Sequence, residues 1–272
     1  MEEMKGINLG SVQETLLLPL WGRAIETQKK KPLLIDNKAV SIINSIPYDF
    51  NVISKNISEV VQAGWIARSL FFDNKIKIFI KTHPEATIAN IGCGLDTTFD
   101  RVDNGKMQWL DLDLPDTIDL RKKYIFESDR RHFIPKSVFD QSWYDRIEKK
   151  NKVMLLIAGV LCYFSQSDVK RLFNEFHTFL PGVEVVFDYF SNIGMKVSNK
   201  KVIEDGGMNE SAYLKWSINN ILEIEKWDKN IKVISYMPMY REYKKNFSIL
   251  KRIGMNIADM LKMVSLAHIR IN

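Results

Sequence analysis

The stretch Lys152-Val-Met-Leu-Leu-Ile-Ala158 is apolar at every position after its first and shows no polar alternation. A strand of that kind is covered on both faces, as in a parallel sheet sandwiched between helices. Three further short apolar runs, Ala86–Ile91, Met107–Leu112 and Val183–Phe187, repeat the theme, with a weaker one around His132–Pro135. Helical stretches follow to about Tyr124 and from about Ser167 to Leu180. Two last strands are expected at Ile231–Ser235 and Met263–Ile271, around a helix near Tyr240–Ile253. Strands alternating with helices imply an α/β fold built on a doubly wound, mostly parallel, seven-stranded sheet.

Helices precede the first strand. Ser11-Val-Gln-Glu14 fits a capping box, so a helix is expected from about Val12 through Trp21, Arg23 and Glu26, with Pro19 kinking or interrupting it. Asp36 is placed to cap a second helix through Ile46, which Pro47 ends. A third covers about Ile57–Thr82 and closes at His83-Pro84. Residues 191–227 read as amphipathic helix interrupted at Gly206-Gly207, with Tyr213, Trp216 and Trp227 suited to an apolar ligand. With no internal repeat and no low-complexity linker, residues 1–272 form one domain. Its parts are a helical cover (1–82), a core (83–190), a helical lid insertion (191–227) and a segment completing the sheet (228–272).

Composition narrows the function. Aromatics reach 11%, which excludes disorder, and two cysteines in 272 residues exclude a disulfide scaffold. The net charge of +6 raises the question of nucleic acid. The lysines, however, fall in short clusters such as Lys29–Lys31 and Lys244–Lys245, at expected helix ends and loops, where a cation suits the helix dipole. No nucleic-acid partner is therefore expected. The acidic start, Met1-Glu-Glu-Met4, and the lack of a run near 20 apolar residues predict a soluble, cytoplasmic chain with no membrane partner. His83, His132, His177 and His268 show no metal-ligand spacing, so no metal is expected.

The chemistry centres on Ile91-Gly92-Cys93-Gly94-Leu95-Asp96, directly after a strand. Glycines there let the backbone approach a ligand closely. Some ~20 residues on, at the end of the next strand, stands Asp111-Leu112-Asp113, where an acid can hydrogen-bond ribose hydroxyls. The third glycine of a dinucleotide fingerprint is missing, because Thr97 occupies its place. A pyrophosphate loop is disfavoured, and a nucleoside without pyrophosphate, such as S-adenosylmethionine, remains open.

Gly92-Cys-Gly-Leu-Asp-Thr-Thr-Phe-Asp-Arg101 resembles the G-x-G-x-D-[ST]-x-x-x-R signature of the leucine carboxyl methyltransferase family, in particular its bacterial branch of polyketide-type O-methyltransferases. The resemblance runs along nearly the whole chain, through Val12–Glu26, Gly64-Trp-Ile-Ala-Arg68, Asp111-Leu-Asp-Leu-Pro115, Ser137-Val-Phe-Asp140 with Trp143, and Gly159-Val-Leu-Cys-Tyr163. It implies a Rossmann-like, S-adenosylmethionine-dependent O-methyltransferase acting on a carboxylate or hydroxyl oxygen of a small molecule. On that resemblance Arg68 would pair with the methionine carboxylate, with Arg23 helping to close the pocket. Gly92, Gly94 and Asp96 would form the cofactor loop, and Asp113, with Asp111 as rival, would hold the ribose. Asp140 and Phe139 would meet the adenine, the alternative for Asp140 being simply to cap the helix that contains Trp143.

Two positions depart from the pattern. The family usually carries Glu before G-v-L-x-Y, where this chain has Ala158, and Thr98 stands where many relatives have arginine. Losing an acid near the methionine end would weaken cofactor binding by about 10- to 100-fold. This leaves two alternatives in view: a non-catalytic cofactor-binding relative with a regulatory role, and a nicotinamide-dependent oxidoreductase, which Thr97 disfavours. Cys93 and Cys162 follow neighbouring strands and are expected either close together or as two separate buried thiols.

Overall fold

The computed structural model describes residues 11–48, 50, 57–148, 151–200 and 213–272. The first helix, α1 (Ser11–Thr27), runs continuously through Pro19, and its Ser11–Glu14 capping box lies outside the residues whose side chains are described. Asp36 caps α2 (Asn37–Ser45), accepting from the Ala39 amide at 2.9 Å. Ser58 caps α3 (Glu59–Thr82), and His83 closes it.

The alternating part follows as β1 (Thr87–Ile91), α4 (Thr98–Val102), β2 (Gln108–Asp113), α5 (Pro115–Lys122), β3 (Arg131–Pro135), β4 (Val153–Ile157), α6 (Gln166–Phe179) and β5 (Val183–Phe190). After α7 (Asn192–Ser198) come β6 (Ile231–Pro238), α8 (Ile249–Met260) and β7 (Val264–Ile271). The sheet has seven strands in the order β3-β2-β1-β4-β5-β7-β6. The first five pair in parallel with one another, and β7 runs antiparallel to both β5 and β6.

The doubly covered strand is β4. Val153, Leu155 and Ile157 pack into one apolar layer with α6, whereas Met154 and Leu156 pack into the other with α3 and α8. Helix α6 is held at its start by a Ser165–Asp168 capping box and buries Val169, Leu172, Phe173 and Phe176. Each such side chain contributes about 1.5–3 kcal/mol by leaving water. A third layer joins α1 and α2 to the loop after β1 through Leu17, Leu20, Ile42, Cys93 and Leu95.

Two segments differ from the expectation. Residues 201–212 of the expected lid, Gly206-Gly207 included, lie outside the described residues. Within the remainder the helical parts are α7, which runs on into a π-type turn at residues 199–200, and a 3-10 turn at Ile221–Lys226. Trp216 is buried in the core 6.5 Å from the Phe187 ring, and Trp227 packs against Phe173. The Lys215 and Trp216 amides donate to the Cys162 carbonyl, so this stretch is tied to the loop after β4 as a wall of the core. The helix expected near Tyr240–Ile253 begins only at Ile249, because buried Tyr240 is fixed through its hydroxyl to the Val60 carbonyl and through its amide to Asp259.

Candidate cofactor-binding site

In an open parallel sheet the crevice for a ligand lies beyond the carboxyl ends of the strands, where the strand order reverses. Here that point is between β1 and β4, and the sequence-derived residues gather along the same edge. Gly92 follows β1 with φ +65°, and a Cβ there would collide with Cγ2 of Val160 from the loop after β4. The two loops facing the crevice touch, and only glycine fits between them.

Asp113 ends β2. Its Oδ2 accepts from the Gly94 amide at 2.7 Å and its Oδ1 from Leu114 at 2.8 Å. Burial pushes its carboxyl above the usual range. A carboxylate has about four acceptor sites, so capacity for two hydroxyls remains. Asp111, the rival, has none. Its Oδ1 accepts from Trp109 Nε1 (2.9 Å) and Asn90 Nδ2 (3.2 Å), and its Oδ2 from Arg121 Nη2 (2.7 Å) and Arg131 Nε (2.8 Å). Asp111 and Arg121 are completely buried, which corrects Asp111 from a cofactor candidate to a core carboxylate.

Arg23 is buried rather than a surface partner. Its Nε donates to Asp36 at 2.9 Å, and its Nη2 lies 3.4 Å from Thr97 Oγ1 and 3.7 Å from Asp96. Asp96 also accepts from Asn90 and the Thr98 amide. Burial would lift its carboxyl, but Arg23 and Arg101 hold it well below the usual carboxylate range. Arg101, which closes the signature, grips Asp73 of α3 with Nε and Nη2 (2.8 and 2.9 Å) and Asp36 with Nη1 (2.8 Å). Such a bidentate fork is strong and directional. It ties the segment after β1 to the helical cover.

On the far side, Phe139 meets Phe164 edge-on at 5.0 Å and carries the Arg171 guanidinium over its ring. Asp140 is exposed and caps the 3-10 turn Gln141–Arg146 through the Ser142 amide, the alternative raised for it. Its second oxygen lies 3.6 Å from Lys136 Nζ. Ala158 is partly buried against the layer containing α3. Arg68 donates from Nη1 to Asp188 Oδ2 at 2.8 Å. Burial opposes the Arg68 charge, and Asp188 more than restores it.

The sequence did not single out Asp188, although one signal was present, an acid flanked by apolar residues near the end of the run that becomes β5. Cys93 and Cys162 are two free, buried thiols, both pushed up by burial. Among the described residues no group of His, Cys, Asp and Glu is arranged to hold a metal, and no helix is long and apolar enough to cross a membrane.

The sheet order and the reversal between β1 and β4 are those of the Rossmann-like methyltransferase fold. The chain belongs to the leucine carboxyl methyltransferase family, a family of S-adenosylmethionine-dependent methyltransferases, whose model matches residues 17–177. It is 31% identical over 183 residues, 67% of each chain, to the tetracenomycin polyketide synthesis O-methyltransferase TcmP of Streptomyces glaucescens. It is 23% identical over 274 residues to the S-adenosyl-L-methionine-dependent methyltransferase dpfgK of Gibberella zeae, covering 93% of this chain and 91% of that one. A solved putative methyltransferase from Thermobifida fusca YX shares the fold with a TM-score of 0.60 at 10% identity, over 99% of this chain and 96% of the other.

Proposed function

We propose that the chain binds S-adenosylmethionine along the carboxyl edge of its parallel strands and transfers the methyl group to an oxygen of a small molecule. The observation that carries this reading is the donor set there. A half-satisfied Asp113 lies beside the Gly92–Gly94 turn, and a half-buried Arg68, paired with Asp188, stands against the Gly159 turn that follows β4.

In this reading Asp113 holds the ribose, Phe139 and Asp140 face the adenine, and Arg68 takes the methionine carboxylate. Arg23 and Asp96 brace the loop from the side of α1. The bound cofactor supplies a methyl group already activated on sulfonium sulfur. The protein's task is then alignment and exclusion of water.

The four histidines lie away from this edge. His83 precedes β1, His132 is early in β3, His177 is near the end of α6, and His268 pairs with Glu184 at the opposite end of β5. An acceptor that arrives already anionic, a carboxylate or an acidic phenol, suits such a site. The relation to TcmP points to a polyketide-like acceptor.

The test is incubation with methyl-labelled cofactor and a panel of aromatic carboxylic acids and phenols. Label in a base-labile methyl ester or a stable methyl ether supports the reading and distinguishes the two acceptors. No calorimetric binding of cofactor at millimolar concentration, with Arg68→Ala changing nothing, would end it.

A further inference from the structure

The amino-acid end of the crevice holds a cation, Arg68, but Ala158 offers no acid to face it. The structure brings a different carboxylate there. Asp188 is buried near the end of β5, a strand whose only other charged residue is Glu184. Its Oδ1 accepts from the amide of Gly159, the residue directly after Ala158, at 2.6 Å, and its Oδ2 accepts from Arg68 Nη1 at 2.8 Å. Gly159 has φ +68°, and a Cβ at that position would lie 2.9 Å from Arg68 Nη1. The turn after β4 is thus pressed against the guanidinium, with Asp188 fastened to both.

This pair has unused capacity. About two of the four acceptor sites of Asp188 remain, and among the described residues Arg68 donates only from Nη1, leaving Nε and Nη2. A buried ion pair costs stability unless its remaining sites are filled. A ligand that fills both halves must present an anion to the guanidinium and N–H donors to the carboxylate. A zwitterionic amino acid does so.

We infer that Asp188 and Arg68 together read the zwitterionic amino-acid end of the cofactor, Arg68 binding its carboxylate and Asp188 its ammonium group. Asp188 in this way supplies the acid that position 158 lacks. The inference rests on the cofactor reading above.

Calorimetry with three ligands separates the possibilities. S-adenosylhomocysteine carries both charges, S-adenosyl-3-thiopropylamine keeps only the ammonium, and 5′-methylthioadenosine has neither. For Asp188→Asn, the first two should weaken roughly 10- to 100-fold, while methylthioadenosine changes less than about threefold. The inference is overturned if all three weaken alike, which marks a fold defect. It is equally overturned if the thiopropylamine is unaffected, which leaves Asp188 serving only Arg68, or if none changes.

Asp188→Glu keeps the charge beside Arg68 and serves if the asparagine variant does not fold. One added methylene moves the acceptor oxygen out of place, so the same pattern is expected, and unchanged amine binding would overturn the inference. Wild-type protein that binds none of the three removes the cofactor reading itself, a result distinct from either failure above.

Discussion

Asp111 and Asp113 stand two residues apart on β2, and the structure gives them opposite duties that substitution to asparagine separates. Asp111→Asn removes the charge that faces two buried arginines. Those arginines already leave Arg121 Nε and Arg131 Nη2 without a partner, so no spare acceptor is at hand. Breaking a buried ion pair by removing one partner costs about 3–5 kcal/mol. With a urea m-value of about 3 kcal/mol/M, at the upper end of the range for a chain of this size, the midpoint should fall by about 1–1.7 M.

Asp113→Asn keeps an oxygen for one backbone amide and should cost about 1 kcal/mol or less in stability. It should, however, weaken S-adenosylhomocysteine roughly 10-fold or more. The assay is urea unfolding followed by circular dichroism, paired with calorimetry on the folded protein. If Asp111→Asn leaves the midpoint within about 0.3 M of wild type, the assignment of Asp111 to the core is wrong. If Asp113→Asn loses stability but not affinity, the assignment of Asp113 to the ribose is wrong.

Other consequences follow from the same geometry. Arg101→Lys cannot reproduce the fork on Asp73 while holding Asp36, and should cost about 3 kcal/mol in thermal unfolding, whereas an unchanged melting temperature would mean that the loop is not braced from α3. Gly92→Ala combines a left-handed backbone with a collision against Val160 and should destabilise by about 2 kcal/mol; Val160→Ala on top should recover part of that loss, and no recovery would rule out the contact. Burial pushes the Glu184 carboxyl up, but hydrogen bonds from His268 and Arg270 hold it down at about 2. Its contribution is therefore present above the ordinary glutamate pKa and is lost as pH falls through about 2, so Glu184→Gln should flatten the acid limb of the stability profile between about pH 4.5 and 2.

The parts legible in the sequence were those governed by neighbours along the chain. The unbroken apolar run of β4, the cap at Asp36, the proline after the second helix and the glycine turn after β1 are local signals. Each appears in the structure within a few residues of its expected place. Periodicity failed where a segment's environment was set from elsewhere. The pattern around Trp216 and Trp227 reads as an amphipathic cover, yet contact with β5 and α6 places Trp216 in the core with Trp227 packed against it, and much of the backbone there is irregular. Likewise, Asp111 and Asp113 are equivalent acids by composition and spacing. Only the arrival of Arg121 from α5 and Arg131 from β3 consumes one and leaves the other open.

The sequence by itself determined the fold class, the order of the strands and the edge at which the candidate site residues gather, because hydrophobic periodicity and turn chemistry act over a few residues. Tertiary structure alone decided which carboxylates are free, what Arg101 holds, and that Asp188 meets Arg68 across 120 residues of chain. Hydrogen-bond capacity is spent between elements distant in sequence, so its allocation is set only when the sheet is assembled.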